Sequence, residues 1–121
     1  MTTTLGAAYA QALAAKDAGA LRALLHPEVD FRGMTPARFW EATGPGEVLQ
    51  VLFGSWFEDK DEIRSLEHVD TDAFADRERV GYRFAIENPE GRFLVEQQAF
   101  LTERNGRIGW MRVACSGFRP V

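Results

Sequence analysis

The chain has 121 residues, of which 45% are hydrophobic and 26% charged, and its formal net charge is −4. This length suits a single domain spanning residues 1–121, and the composition is that of an ordinary globular protein. The 14 basic residues are dispersed, which argues against a nucleic-acid-binding surface, and no apolar run approaches the ~20 residues of a membrane span.

Residues that commonly bind metals are scarce. The single Cys115 excludes an internal disulfide and fits a reducing, cytoplasmic environment, and His26 and His68 are the only histidines. We therefore expect neither a metal nor a cofactor.

The N-terminal stretch lacks the basic start of a signal peptide and soon reaches Lys16 and Asp17, so we predict a helix there.

The first half of the chain has mainly helical patterns. Apolar residues from Leu5 to Leu13 recur at helical spacing, with Thr3 or Thr4 as the N-cap. A second short helix is predicted over 20–25, followed by a strand that begins at Val29. Thr35-Pro36 is typical of a helix start and predicts a helix over 37–42, and a wide apolar stripe predicts another over 47–57.

The second half alternates like strands. We predict strands over 63–70, 79–87, 92–102 and 107–116, with hairpin turns at 88–91 and at Asn105-Gly106. Helices followed by an antiparallel meander indicate an α+β fold in which the helices pack on one face of a curved sheet.

The long strand over 92–102 carries a carboxyl and an amide, Glu96 and Gln98, on the same face as Leu94 and Phe100.

The opposite faces of the predicted sheet both look apolar, and the helices can cover only one. An uncovered apolar face predicts a homodimer. Its interface would include outer residues of two strands: Val95, Leu101, Trp110 and Arg112.

Three stretches, Tyr9 to Gly33, Gly46 to Phe57 and Phe93 to Gly117, resemble the nuclear transport factor 2-like superfamily in their order and spacing. This superfamily contains ketosteroid isomerases, SnoaL-like polyketide cyclases and limonene-epoxide hydrolases. The resemblance covers nearly the whole chain and implies a cone-shaped, cystatin-like α+β fold, with a curved antiparallel sheet wrapped on N-terminal helices.

The resemblance carries over to individual residues only in part. The oxyanion-hole tyrosine of ketosteroid isomerases matches Tyr9. Their general-base aspartate falls at Gly33, and their second acid falls at Gln98, whose amide cannot carry a proton. The chain therefore does not match a ketosteroid isomerase, and SnoaL-like cyclases, which need no cofactor, resemble it more loosely.

The register implied by the resemblance turns Gln98 and Glu96 into the cone. Glu96 would then be the group that moves protons, Tyr9 and Gln98 would hold an oxyanion, and His68 would be a proton shuttle if it points inward, a direction that stays open. The candidate ligand-binding residues are Trp40, Phe53, Trp56, Tyr82, Phe84, Phe100, Met111, Val113 and Cys115, although the same side chains could simply fill a core.

Two functions follow from these patterns. The first is a cofactor-independent enzyme of the isomerase, cyclase or hydrolase type that acts on a small, apolar carbonyl substrate. The second is a binding or interaction module, a dimer whose cone holds a hydrophobic ligand, or nothing, without turnover. The Gly at 33 and the Gln at 98 favour the second, and Glu96 among apolar neighbours favours the first.

Overall fold

The computed structural model describes residues 3–121. Its helices are α1 (Leu5–Ala14), α2 (Ala18–Leu24) and α3 (Pro45–Val51), and a π-helical turn (Leu52–Trp56) follows α3. Its strands are β1 (Leu25–Thr35), β2 (Arg38–Thr43), β3 (Glu62–Phe74), β4 (Arg77–Asn88), β5 (Gly91–Arg104), β6 (Arg107–Cys115) and β7 (Arg119–Pro120). The first two residues of the chain lie outside this description.

All seven strands belong to one open sheet in the order β2-β1-β6-β5-β4-β3, with β7 paired to β5. Helix α1 packs on β3, β4 and β5, and α3 packs on β1 and β2. The helices thus cover one face, the inner face, and the fold is α+β as predicted. None of the helices among residues 3–121 has the length and apolar character needed to cross a membrane.

The first two helices are confirmed. The Thr4 side chain accepts a hydrogen bond from the Ala7 amide at 3.1 Å and caps α1. Asp17 caps α2 by accepting from the Ala20 amide at 3.0 Å. Helix α1 buries Tyr9 and Leu13 completely, so its position is fixed by the core.

The predicted helix over 37–42 is wrong, because this segment is strand β2. Strands β1 and β2 pair antiparallel from Asp30 opposite Thr43 to Thr35 opposite Arg38. Pro36 and Ala37 form the hairpin turn, where Ala37 has a φ of 69°. The Thr-Pro pair that is typical of a helix start therefore opens a turn here.

The predicted antiparallel meander is also incomplete. Strand β1 is much longer than expected and pairs in parallel with β6, from Asp30 opposite Trp110 to Met34 opposite Ala114. The sheet is therefore mixed. Strands β3 to β6 do form the expected meander, and Asn105-Gly106 turns the chain between β5 and β6 with positive φ at both residues.

The predicted helix over 47–57 consists of two segments. Helix α3 ends at Val51, and the Phe57 amide then donates to the Leu52 carbonyl at 2.7 Å, the spacing of a π-helix. The extra residue in this turn carries Trp56 over the inner face of the sheet. Trp56 is 7% exposed.

The side chains of strand β5 face the opposite way to the prediction: those expected to face the core face outward. Buried Tyr82 and Phe84 of β4 lie opposite Gln97 and Val95 of β5, and residues directly opposite one another share a face. Consequently Val95, Gln97, Ala99 and Leu101 face the core, and Leu94, Glu96, Gln98, Phe100 and Thr102 face outward. The expected inward direction of Glu96 and Gln98 is wrong.

Candidate functional site

The inner face of the cone carries a cluster of neutral polar side chains. Tyr82 of β4 donates a hydrogen bond from its hydroxyl to Oε1 of Gln97 on β5 at 2.6 Å. The ring of Tyr9, from α1, meets the Tyr82 ring edge-on with centroids 6.1 Å apart. All three side chains are at most 1% exposed. They form the Tyr9–Tyr82–Gln97 cluster.

This cluster contains unused hydrogen-bond donors. The Tyr9 hydroxyl and Nε2 of Gln97 are buried without a partner, and so is Nε1 of Trp56. The Tyr9 and Tyr82 hydroxyls influence one another's pKa, but the Tyr9 hydroxyl has no partner at hydrogen-bonding geometry. A buried donor without an acceptor costs ~1–3 kcal/mol, so an acceptor atom placed beside these groups would stabilise the protein.

Gly33 takes the place that the resemblance assigns to a general base. Its position on the inner face is filled by another residue: a Cβ on Gly33 would lie 2.5 Å from Cη2 and from Cζ2 of Trp56. The indole also packs on Phe31, with ring centroids 5.7 Å apart, and edge-on to Trp40 at 6.3 Å. An aromatic ring therefore stands where a ketosteroid isomerase would have its carboxylate.

Aromatic rings continue through the cone. The Tyr82 and Phe84 rings lie 5.2 Å apart, and the Phe57 ring meets Phe84 edge-on at 5.5 Å. Along this part of the inner face the rings pack directly on one another. Any ligand in the cone must therefore be small.

The three other predicted catalytic residues lie together, but on the outer face of the sheet. Glu96 is exposed and accepts hydrogen bonds from Nη2 and Nε of Arg83 at 2.9 and 3.2 Å. Exposed Gln98 and His68 line the same groove, which has a volume of about 600 Å³. Tyr9 alone of the predicted catalytic set lies in the cone.

Most of the predicted ligand-binding residues do face inward. Tyr82, Phe84, Met111, Val113 and Trp56 belong to the buried core, and Trp40, Phe53 and Cys115 are partly buried against it. Trp40 donates from Nε1 to Thr35 Oγ1 at 2.8 Å. Phe100 is the exception, because it lies on the outer face edge-on to Phe74 with ring centroids 6.3 Å apart.

The predicted dimer interface is divided between the two faces. Val95 and Leu101 are buried in the core, so assigning them to the outer face is wrong. Trp110 does lie outside, between the guanidinium groups of Arg77 and Arg112 at 4.0 and 4.4 Å from its ring centroid. The outer face is thus more charged than predicted, and self-association stays a prediction that sedimentation can test.

Burial sets the ionisation of both tyrosines. It raises the pKa of Tyr9, an effect partly offset by the nearby Tyr82 hydroxyl, and it also raises the pKa of Tyr82, where Tyr9 adds to the effect. Both hydroxyls are therefore protonated donors at neutral pH. Among residues 3–121, no three His, Cys, Asp or Glu side chains are grouped so that they could hold a metal.

We expect alkaline titration of the tyrosines to be coupled to unfolding. The unfolded chain ionises its two tyrosines near pH ~10 and the folded chain only above that, so the free energy of unfolding falls as the pH rises past ~10. Tyrosinate absorbance should appear together with the loss of near-ultraviolet circular dichroism. Tyrosinate absorbance in a protein that keeps its native dichroism would contradict the burial of these hydroxyls.

Gln97 is the functional candidate that the sequence did not reveal. Its neighbours Glu96 and Gln98 are also polar, so alternation alone could not show which of the three faces inward. The available signal was its position opposite Tyr82 in the β4–β5 hairpin, which the turn at 88–91 fixes.

Comparison with solved structures places this fold among known proteins. A candidate isomerase from Rhodopseudomonas palustris matches with a TM-score of 0.72 and 16% identity over 97% of this chain and 93% of its own. A candidate SnoaL-like polyketide cyclase from Mesorhizobium loti matches with a TM-score of 0.68 and 15% identity over 90% of this chain and 94% of its own. An LEH-like epoxide hydrolase from M. tuberculosis matches with a TM-score of 0.64 and 14% identity over 90% of this chain and 77% of its own.

These structures share the fold of the nuclear transport factor 2-like superfamily, and this chain has that fold too. No protein-family model matches the sequence, and no curated protein matches it. With identities of 14–16%, the likeness establishes the fold, and the chemistry has to be argued from the residues of this chain.

Proposed function

We propose that the protein binds a small, mostly apolar molecule in the cone, through a carbonyl-type acceptor on that molecule. The observation that carries this proposal is the pair of buried donors without partners, the Tyr9 hydroxyl and Nε2 of Gln97. Tyr82 connects them, since its hydroxyl bonds the Gln97 amide and its ring contacts Tyr9. An acceptor oxygen at this point would satisfy donors that otherwise cost stability.

The geometry supports binding ahead of acid–base catalysis. Two donors on one oxygen would polarise a carbonyl, as isomerases and cyclases require. The carboxylate that would move the proton is not there: Gly33 has no side chain, and Glu96 points away from the cone into an exposed ion pair. Proton transfer on the same carbonyl is the second candidate, favoured by the donors and by structural neighbours described as candidate isomerases and cyclases.

A matched pair of ligands tests the proposal. 1-Tetralone and tetralin have the same fused-ring skeleton, and only the first carries a carbonyl. We expect tetralone to bind at least tenfold more tightly, measured by calorimetry, and Tyr9→Phe to reduce its affinity to that of tetralin. Glu96→Gln is the control and should leave both affinities unchanged, because Glu96 lies on the outer face.

Two results would count against the proposal. If neither compound binds, ordered water rather than a ligand satisfies the donors. If both bind equally well, the cone selects only apolar shape. Solvent deuterium entering the α position of tetralone faster than in buffer would support the second candidate, proton transfer.

A further inference from the structure

The one cysteine of the chain stands beside the Tyr9–Tyr82–Gln97 cluster. Cys115 is the last residue of β6 and lies directly opposite Gln97 of β5. The two side chains therefore share the inner face, with Cβ atoms roughly 5 Å apart. Cys115 is a free thiol and is half-buried, whereas the cluster is at most 1% exposed. The thiol is thus the part of this row that a ligand arriving from solvent reaches first.

The unused donor of Gln97 is turned toward this thiol. Strand β5 lies between β4 and β6, and Oε1 of Gln97 accepts its hydrogen bond from Tyr82 on the β4 side. The oxygen and nitrogen of a planar amide point to opposite sides. Nε2, which is buried without a partner, therefore faces the β6 side, where Cys115 lies.

The tyrosine hydroxyls are also close to the sulfur. Burial is the main cause of the raised pKa of Tyr9 and of Tyr82, and the Cys115 sulfur lies close enough to both hydroxyls to add to the effect. The two unpartnered donors, the Tyr9 hydroxyl and Nε2 of Gln97, and the thiol therefore surround the same part of the cone.

The sulfur has a hydrogen-bond donor of its own. The Gly117 amide donates to Sγ of Cys115 at 3.4 Å. Hydrogen bonds of this kind are stronger when the acceptor is charged, so this amide gives a thiolate a partner. Cysteine is strongly nucleophilic even though only a few per cent of a free thiol is ionised at neutral pH. A nucleophile therefore stands next to a place that suits a carbonyl oxygen.

We propose that the cone takes an α,β-unsaturated ketone and that Cys115 adds reversibly to the β carbon of this ligand. The inference rests on the carbonyl binding proposed above and names the class of carbonyl compound. The oxygen and the β carbon of an enone are only three bonds apart, so one small molecule can meet the donors and the thiol together. The saturated part of the ligand lies against the aromatic rings of the inner face.

The step is a conjugate addition without oxidation or reduction. The Cys115 thiol releases its proton to water, and the thiolate forms a bond from sulfur to the β carbon. The π electrons of the C=C bond move to give an enolate, whose oxygen accepts hydrogen bonds from the Tyr9 hydroxyl and Nε2 of Gln97. A proton from water then adds to the α carbon. The product contains all the atoms of the thiol and the enone, and the reverse steps release both.

The test measures the addition of 2-cyclohexenone by intact-protein mass spectrometry, with cyclohexanone as the saturated match that should give no adduct. Because the chain has one cysteine, an added mass that disappears in Cys115→Ser reports this thiol. We expect the folded protein to react at least tenfold faster than the same chain unfolded in urea, since only the folded chain places the donors. Tyr9→Phe should slow the reaction at least tenfold, and dilution should release the enone.

Methyl methanethiosulfonate is the control reagent, because it modifies thiols and has no carbonyl for the donors to hold. Its rate should be the same in the wild type and in Tyr9→Phe. Equal slowing of both reagents by Tyr9→Phe would mean that the hydroxyl only controls access to the sulfur, and this would overturn the proposal.

Two further results would overturn it. An enone rate no higher in the folded than in the unfolded chain would mean ordinary alkylation of an accessible thiol. An adduct that persists in Cys115→Ser would place the reaction on another side chain. The carbonyl binding is judged separately: tetralone binding without an enone adduct would remove only the role of Cys115, whereas the absence of both would remove both proposals.

Discussion

Replacing Gly33 with alanine is expected to destabilise the protein by about 2–3 kcal/mol, the cost of overpacking a core. The new Cβ would lie 2.5 Å from two ring atoms of Trp56. The indole is rigid and cannot yield easily, since it packs between Phe31 and Trp40 and is only 7% exposed. Urea unfolding followed by circular dichroism would measure the change.

Gly46→Ala is the matched control for this prediction. A Cβ at Gly46, in the first turn of α3, meets no atom within 4 Å. Alanine there should be neutral or stabilise by about 0.5–1 kcal/mol, because it restricts the unfolded chain. The double variant Gly33→Ala, Trp56→Leu should lose less than the two single changes combined. A Gly33→Ala protein as stable as the wild type would show that the indole does not occupy this space.

The fold was largely predictable because it rests on local patterns. The caps at Thr4 and Asp17, the helical spacing in α1 and the Asn105-Gly106 turn each act within a few residues. The β2 strand was not predictable in this way. Its strand conformation depends on pairing with β1, and the Thr35-Pro36 start is compatible with both a helix and a turn.

The candidate site was harder to predict, because the face of β5 depends on register. A shift of one residue exchanges the two faces of a strand, and both faces of 92–102 contain apolar and polar residues. The inward amide is therefore Gln97 and not Gln98. Glu96 and Gln98, which were expected in the cone, instead lie in the outer groove together with His68, whose direction the sequence left open. Tyr9 was correctly placed because α1 has a single apolar stripe, and the residues of that stripe must face the core.

The two tyrosines of the cone should respond in opposite ways to the loss of their hydroxyl groups. Tyr9→Phe removes a buried donor that has no partner, so we expect a gain of about 1 kcal/mol in the free energy of unfolding. Tyr82→Phe removes the 2.6 Å hydrogen bond to Gln97, whose Nε2 already lacks a partner, and leaves a buried amide with no bond at either end. This should cost about 2–3 kcal/mol.

The comparison is sharp because the two changes delete the same atom from equally buried rings. Thermal and urea unfolding of both variants, without ligand, would give the two free energies. If Tyr9→Phe destabilises as much as Tyr82→Phe, the Tyr9 hydroxyl has a structural partner, such as a fixed water. If Tyr9→Phe stabilises the protein and also abolishes tetralone binding, then the Tyr9 hydroxyl lowers the stability of the free protein and is required for binding the ligand. Such opposition between stability and function is common.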